Sequence, residues 1–205
     1  MIRVAIIDDH VVVRAGLKYV LASDSTLEFA GEFGGGEGAA EFVSSVNPDV
    51  TLLDVRMPDL NGIEALKEIL AARPEARVIM LTTSDAEEDV FRAIEEGALG
   101  YVQKEAPIEE ILKAIHSAMA GDVYMSDETR RIYETRKTVK GLSLRESEVL
   151  NAVADGHNNR EVGVQLGISE NSVKMHLKRI FYKLGADDRT EAVNLAVKRG
   201  YIRRR

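Results

Sequence analysis

The stretch Arg3-Val4-Ala5-Ile6-Ile7-Asp8-Asp9, near the amino terminus, decides the fold. Its first five residues are mostly apolar and β-branched, which is typical of a short strand buried on both faces of a sheet. Two carboxylates follow immediately, where such a strand would end. A buried strand that stops at paired aspartates predicts an α/β sheet with a polar site at the carboxyl ends of its strands.

Three other apolar runs end at polar residues in the same way. One ends in Asp54, one ends in Thr82, and Lys104 directly follows the third. A stretch with helical spacing comes after each run. The strands are predicted at residues 3–7, 27–32, 50–53, 78–82 and 100–103, and the helices at 12–22, 36–46, 62–72, 86–96 and 107–120. Five successive strand–helix units predict a five-stranded, doubly wound parallel sheet of the flavodoxin-like kind.

The polar residues at the strand ends are expected to meet at one edge of this sheet, because parallel strands share their carboxyl edge. Asp8, Asp9 and Asp54 would form a carboxylate cluster there, and such a cluster cannot fully ionise cheaply without a cation. Hard oxygen ligands of this kind suit Mg²⁺. His10 has no metal-ligand spacing to another histidine and is interpreted as an ordinary turn residue.

Charge is distributed unevenly along the chain. The net charge of −7 divides into −13 over residues 1–122, +1 over residues 123–139 and +5 over residues 140–205. An acidic front and a basic back predict two domains with different partners. Nucleic acid is one candidate partner for the basic part, and an ordinary solvated surface is the alternative.

Other features of the composition narrow the class of protein. Cysteine is absent, which excludes a disulfide framework and a thiolate metal site. No apolar run is long enough to cross a membrane, and no leader segment is recognisable. A cytoplasmic protein without a membrane partner is therefore expected.

The alternation of strands and helices stops after Gly121. We predict a first domain at residues 1–121, a partly helical linker at 122–139 and a second domain at 140–205. The second domain has only helical patterns, and four helices are expected. A short glycine-containing turn between the second and third of these predicts a helix-turn-helix.

The third helix of the second domain, from residue 170 to about 184, has two distinct faces. Its apolar residues recur at helical spacing and are directed at a core, while Lys174 and Lys178 share another face. A basic recognition helix in the DNA major groove fits this layout, with a solvated face as the alternative. The last helix, Glu191 to Lys198, is either a dimer face or a packing element.

Five motifs lie at the ends of the predicted strands and in the loop after the third, namely Ile7-Asp8-Asp9-His10, Leu53-Asp54-Val55-Arg56-Met57-Pro58, Asn61-Gly62, Leu81-Thr82 and Tyr101-Val102-Gln103-Lys104. In order and spacing they resemble the receiver domain of two-component response regulators. The resemblance covers about residues 1–122.

The resemblance implies a role for each acidic residue. Asp54 would be the nucleophile that accepts a phosphoryl group as an acyl phosphate. Asp9, Asp54 and the backbone carbonyl of Arg56 would hold Mg²⁺, with Asp8 acting directly or through water.

The remaining strand-end residues would contact the phosphoryl group or respond to it. Lys104 would pair with one phosphoryl oxygen, and Thr82 would donate its hydroxyl to another. A shift of Thr82 would leave space into which Tyr101 can rotate, which makes these two a switch pair. A packing role is the alternative for Tyr101.

The second domain also carries characteristic motifs, namely Leu142-Ser143-Leu144-Arg145-Glu146-Ser147-Glu148-Val149-Leu150, Asn159-Arg160-Glu161-Val162, Leu166-Gly167-Ile168-Ser169-Glu170, Ser172-Val173-Lys174-Met175-His176-Leu177 and Lys183-Leu184-Gly185. They are similar to the DNA-binding domain of LuxR-type regulators, and the whole chain resembles the NarL/FixJ family of response regulators. This resemblance implies base contacts from Lys174, Met175 and Lys178. It implies phosphate contacts from Asn158, Asn159, Arg160, Ser169 and Asn171.

The function implied is that of a phosphorylation-switched transcription factor. A sensor histidine kinase would phosphorylate Asp54, and the modified protein would dimerise, bind promoter DNA and act on RNA polymerase. Its enzymatic activity would be limited to its own phosphoryl transfer and dephosphorylation. One alternative is an aspartyl-phosphate hydrolase, which would show Asp-x-Asp after the first strand. The other is a scaffold whose receiver never cycles phosphate.

Overall fold

The computed structural model describes residues 1–83, 86–138 and 141–202, and these form two compact units. The first unit extends to Tyr133, and the main run of the second begins at Glu134. Each unit has its own hydrophobic core. Within the described residues, no helix combines the length and the apolar character needed to cross a bilayer.

The first unit alternates strands and helices as predicted. Its elements are β1 (Ile2–Ile7), α1 (Val11–Ala22), β2 (Leu27–Phe33), α2 (Ala39–Val46), β3 (Val50–Asp54), α3 (Gly62–Ala72), β4 (Val78–Thr82), α4 (Glu87–Glu95), β5 (Gly100–Gln103), α5 (Ile108–Ala120), β6 (Tyr124–Met125) and the start of α6 (Asp127–Thr138). The strands pair in the order β2-β1-β3-β4-β5-β6, and every pair is parallel. The doubly wound parallel sheet is confirmed, with one strand more than the five predicted.

The segment predicted as a linker, residues 122–139, supplies this sixth strand and the whole of α6. Tyr124 pairs with Gly100 of β5, and Met125 and Tyr133 are buried in the core of the first unit. A two-residue strand is too short to show alternation, and the apolar residues of α6 are few. The sequence therefore indicated only partial helix here. The predicted boundary between residues 139 and 140 lies outside the described residues.

The two faces of the sheet bury successive strand residues. Ile6 packs with residues of α1 and α5, while Ile7 packs on the other face with residues of α2, α3 and α4. The apolar side chains along each strand are therefore buried alternately on the two faces of the sheet. The polar residues Asp8, Asp54 and Thr82 lie at the carboxyl ends of these strands.

Gly62 brings the chain back directly over the end of β3. A Cβ atom at Gly62 would overlap the carbonyl oxygen of Asp54, so only glycine fits without a backbone shift. The Gly62 N–H donates to the carbonyl of Val55 at 3.0 Å, and Asn61 Oδ1 caps α3 by accepting from the Ile63 N–H at 2.8 Å. The loop after β3 is thus fixed at both ends.

The second unit contains the four predicted helices after the end of α6. They are α7 (Leu144–Ala154), α8 (Asn159–Leu166), α9 (Glu170–Leu184) and α10 (Arg189–Lys198). Each begins at a side chain that accepts a hydrogen bond from the first turn, namely Ser143, Asn158, Ser169 and Asp188. Apolar residues from all four helices form one core, which includes Val149, Val162, Val173 and Ala192.

Two glycines make the turn between α8 and α9 tight. Gly167 ends α8 in the left-handed conformation, with φ of 66°. A Cβ atom at Gly163 would lie 2.7 Å from the carbonyl oxygen of Ile168, whose N–H donates back to the Gly163 carbonyl at 2.9 Å. The absence of a side chain at Gly163 therefore sets how closely α9 approaches α8.

Candidate functional site

Asp8, Asp54 and Lys104 meet at the carboxyl edge of the sheet. Lys104 Nζ lies 2.8 Å from Asp8 Oδ2 and 2.8 Å from Asp54 Oδ2. Both carboxylates are buried, and the Lys104 side chain is only 7% exposed. The Lys104 N–H donates to the Thr82 carbonyl at 2.7 Å, which continues the pairing of β4 with β5 and fixes the base of the lysine. One cation therefore bridges two buried anions.

Burial raises the pKa of Asp54 above its usual range, because a desolvated carboxylate is less stable than the neutral acid. The Lys104 ammonium and the Arg56 N–H, which donates to Asp54 Oδ1 at 3.1 Å, act in the opposite direction. The nearby Asp8 charge adds to the rise. Additional positive charge would therefore stabilise the ionised form of Asp54 in this site.

Asp9 and His10 complete the acidic cluster. One ligand atom from each of Asp8, Asp9, His10 and Asp54 lies within 4.8 Å of all the others. His10 Nδ1 lies 2.9 Å from Asp9 Oδ1 and 3.2 Å from Asp8 Oδ1. The sequence interpretation of His10 as an ordinary turn residue missed this position. No spacing signal could have found it, because the contact depends on how the loop after β1 turns.

The cluster fits a hard divalent cation. Mg²⁺ takes oxygen ligands at about 2.0–2.1 Å, so opposite ligands lie roughly 4 Å apart, and the ligand atoms of this cluster all lie within 4.8 Å of one another. Asp9 Oδ1 is buried, and its contact with His10 Nδ1 at 2.9 Å does not have hydrogen-bond geometry, so no donor among the described residues satisfies it. Such an oxygen is expected to find a cation or ordered water. Asp8, Asp9 and Asp54 can therefore hold Mg²⁺, with His10 beside them.

Thr82 and Tyr101 occupy neighbouring strands, β4 and β5. Thr82 is the last residue of β4 and is 1% exposed. Tyr101 lies in β5, pairs with Met80 in register and is also 1% exposed. The ring of Tyr101 contributes to the core on the side of α2, α3 and α4. Both predicted switch residues are thus buried in this conformation.

The predicted base-reading residues lie on the exposed side of α9. Lys174, Met175 and Lys178 are all exposed, and Met175 is 59% exposed despite being apolar. Val173 and Leu177, on the opposite side, are buried in the core. Lys174 Nζ pairs with Glu170 Oε1 one helical turn earlier, at 2.7 Å. The two-faced helix predicted from the sequence is present.

The predicted phosphate-contacting residues lie near the amino ends of α8 and α9. Arg160, Ser169 and Asn171 are exposed, and Asn159 is half-buried. Ser169 already accepts a hydrogen bond from the Ser172 N–H at 3.1 Å as the cap of α9. Asn158 caps α8 in the same way, by accepting from the N–H groups of Arg160 and Glu161. These two side chains therefore have a structural role of their own.

Two family matches define the class of protein to which this chain belongs. Residues 4–116 match the family described as response regulator receiver domain. Residues 140–196 match the family described as bacterial regulatory proteins, luxR family. The chain belongs to the response regulators that join a receiver domain to a luxR-type DNA-binding domain, and it is a transcriptional regulator of that family.

Named relatives share this organisation over nearly their whole length. The chain is 34% identical over 225 residues to the transcriptional regulatory protein DegU of Brevibacillus brevis, covering 98% of this chain and 95% of DegU. It is 33% identical over 198 residues to the nitrate/nitrite response regulator protein NarL of Escherichia coli strain K12, covering 92% of each. The crystal structure of ChrA, a response regulator of a heme-sensing two-component system, is 36% identical with a TM-score of 0.57 and 98% coverage of both chains.

Proposed function

We propose that Asp54 is phosphorylated by a sensor histidine kinase, and that this modification controls dimerisation and sequence-specific binding to promoter DNA. The observation that carries the proposal is the arrangement of Asp54 with Asp8 and Lys104. A buried carboxylate of raised pKa lies 2.8 Å from a buried ammonium, in an acidic cluster suited to a divalent cation. Two buried carboxylates that share one ammonium keep an excess of negative charge, which a bound cation would offset.

The chemistry required of the protein is mainly positioning and charge neutralisation. A carboxylate oxygen of Asp54 forms the new oxygen–phosphorus bond while the phosphorus–nitrogen bond of the kinase phosphohistidine breaks. The electron pair leaves with the histidine nitrogen. Mg²⁺, when held by Asp8, Asp9, Asp54 and the Arg56 carbonyl, supplies positive charge beside the phosphoryl oxygens. Lys104 then exchanges its contact with Asp54 for a contact with a phosphoryl oxygen.

Thr82 and Tyr101 carry the signal away from the acceptor in this proposal. The Thr82 hydroxyl, at the end of β4, donates to a second phosphoryl oxygen. Tyr101 is already buried in this conformation, so phosphorylation selects the buried ring position rather than creating it. The consequence is a change in the surface formed by α4 and β5.

The second unit reads DNA through α9. Lys174, Met175 and Lys178 contact base edges in the major groove, while Asn159, Arg160, Ser169 and Asn171 contact phosphates. The excess positive charge of this part of the chain, +5 over residues 140–205, favours binding to DNA, which is a polyanion. Two copies on paired half-sites and a contact with RNA polymerase complete the proposed regulatory role.

A labelling experiment on the full-length protein tests the proposal. Incubation with Mg²⁺ and acetyl phosphate should add one phosphoryl group, which intact-mass analysis detects. Asp54→Asn should remove the addition, while Asp59→Asn, an exposed aspartate on the loop that follows, should keep it. Asp9→Ala should remove both the addition and its dependence on Mg²⁺.

Gel shifts with promoter fragments then separate a regulator from a scaffold. The phosphorylated protein should bind paired half-sites more tightly than the unmodified protein, by about 1–3 kcal/mol of coupling. A protein that accepts no phosphoryl group from any donor, or whose DNA affinity does not change on modification, would contradict the proposal.

A further inference from the structure

Arg56 links the phosphoacceptor loop to α4. Its guanidinium Nη2 lies 3.8 Å from Oδ2 of Asp89, in the first turn of that helix. The arginine side chain is 51% exposed, whereas the aspartate side chain is only 6% exposed. A buried carboxylate is thus paired with a cation that remains half in solvent.

This contact is loose by the standards of an ion pair. A nitrogen–oxygen distance of 3.8 Å exceeds the range of a hydrogen bond, so the interaction is coulombic and has no fixed geometry. The Arg92–Glu64 pair, which joins α4 to α3, has a distance of 2.7 Å. The Arg56 side chain can therefore leave Asp89 without breaking a strong bond.

The backbone of Arg56 lies beside the carboxylate of Asp54. The Arg56 N–H donates to Asp54 Oδ1 at 3.1 Å, so the arginine side chain starts next to the carboxylate that would be phosphorylated. Lys104 is shared between Asp8 and Asp54 and can balance only part of the added charge. A phosphoryl group brings about two negative charges and oxygens that match the planar guanidinium fork, whereas Asp89 offers one charge at long range.

We propose that Arg56 is a phosphoryl-binding residue and that Asp89 is its resting counter-ion, so that phosphorylation moves the guanidinium from Asp89 to the phosphoryl group. This inference rests on the proposed phosphorylation of Asp54. Because Asp89 holds Arg56 in the unmodified state, it weakens phosphoryl binding, and by linkage the phosphoryl group removes a cation from α4. The Arg56 carbonyl, proposed as a Mg²⁺ ligand, is unaffected by side-chain substitution.

The affinity of the full-length protein for beryllofluoride, a phosphoryl mimic that binds aspartate, tests the exchange. Bound beryllofluoride is measured by fluorine NMR at saturating Mg²⁺. Asp89→Asn keeps the side-chain shape but removes the charge, and it should tighten binding about two- to fivefold. Arg56→Gln should weaken binding by a similar factor. Asp89→Asn should have no effect in the Arg56→Gln background, because the two act through one contact.

Arg92→Gln is the matched control, since it breaks an ion pair of the same helix that does not involve the acceptor loop. It should leave beryllofluoride affinity unchanged, and thermal unfolding should show that each variant is folded. Equal beryllofluoride affinities of the wild type and Arg56→Gln would overturn the inference. So would weakened binding in Arg56→Gln together with unchanged binding in Asp89→Asn, since Asp89 would then not restrain the arginine. Absence of beryllofluoride binding to wild type would instead count against Asp54 as the acceptor.

Discussion

The ammonium nitrogen of Lys104 lies 2.8 Å from Oδ2 of Asp54, inside the carboxyl edge of the sheet. The same nitrogen lies 2.8 Å from Asp8 Oδ2, and a third carboxylate, Asp9, lies in the same cluster. One positive charge therefore serves several buried negative charges. The imbalance makes the metal-free site costly to maintain and favours binding of a cation.

Replacing Asp54 should make the metal-free protein more stable at neutral pH. Burial raises the folded-state pKa of Asp54 above 3.8, so the folded state holds this proton more tightly than the unfolded state. The stability that Asp54 contributes is fully present below pH 3.8 and is lost as the pH rises through the folded-state pKa. Asp54→Asn removes the loss, and its stability advantage should grow as pH rises above 3.8.

Urea unfolding at a series of pH values in EDTA measures this difference. Excess Mg²⁺ provides the control, because it should stabilise wild type more than the variant. A wild type that is more stable than Asp54→Asn at neutral pH without metal would contradict the expected sign.

Replacing Lys104 should make the metal-free protein less stable at neutral pH, in contrast to replacing Asp54. Lys104→Gln leaves Asp8 and Asp54 buried without their shared cation, and removal of one partner from a buried ion pair costs about 3–5 kcal/mol. Mg²⁺ should restore more stability in this variant than in wild type. Lys67→Gln is the matched control, because Lys67 pairs with Glu64 and Glu96 at the surface and should cost less than about 1 kcal/mol. Equal losses of stability in Lys104→Gln and Lys67→Gln would show that the buried contacts of Lys104 stabilise the fold no more than a surface ion pair does.

Two helical glycines should respond to alanine in opposite directions. Gly62→Ala places a methyl group against the Asp54 carbonyl, and the resulting overpacking should cost about 1–3 kcal/mol and displace Asp54. Gly16→Ala, within α1, meets nothing within 4 Å of its new Cβ atom and should gain about 0.5–1 kcal/mol. Chemical denaturation of both variants compares them directly. A stable Gly62→Ala protein would mean that the loop after β3 relaxes easily.

The sheet of the first unit could be predicted because four of its strands, β1, β3, β4 and β5, carry two signals. An apolar run predicts a buried strand, and the polar residue after it marks the carboxyl end of that strand. Parallel pairing then brings Asp8, Asp54 and Lys104 together without further information. The two-residue strand β6 has neither signal, and it was missed.

Contacts made by side chains across loops could not be predicted. His10 lies beside Asp8 and Asp9 because the chain turns back after β1, and no residue spacing encodes that turn. The approach of Arg56 to Asp89 depends in the same way on the direction of two side chains from different elements. Sequence patterns give the faces of an element, and the contacts between loops follow only from packing.

The second unit should lose stability in acid through Glu146. Burial raises the pKa of this carboxyl, but Lys183 Nζ at 2.5 Å and the Ser143 cap outweigh that effect and hold the pKa below its usual 4.5. Stability from Glu146 is therefore present above pH 4.5 and is lost as pH falls through the folded pKa. Glu146→Gln should cost about 1–3 kcal/mol at neutral pH, and the cost should shrink in acid.

Glu148→Gln, in the same helix, is the control for this change. Glu148 pairs with Arg145 at 2.7 Å but is 40% exposed, so its loss should cost less than about 1 kcal/mol. Thermal unfolding between neutral and acidic pH compares the two variants. A pH-independent cost of Glu146→Gln would place its role in the cap alone rather than in the charge.

The two lysines of α9 should differ from other exposed lysines in their effect on DNA binding. Lys174→Ala or Lys178→Ala in the phosphorylated protein should cost about 1–3 kcal/mol at a specific site and relax specificity at one base position. Lys113→Ala removes the same charge from α5 of the first unit and should leave specific binding unchanged. Gel shifts on specific and random DNA at several salt concentrations measure both effects. Equal losses on the two DNAs, with a salt slope reduced by about one, would identify a lysine that only contacts phosphate.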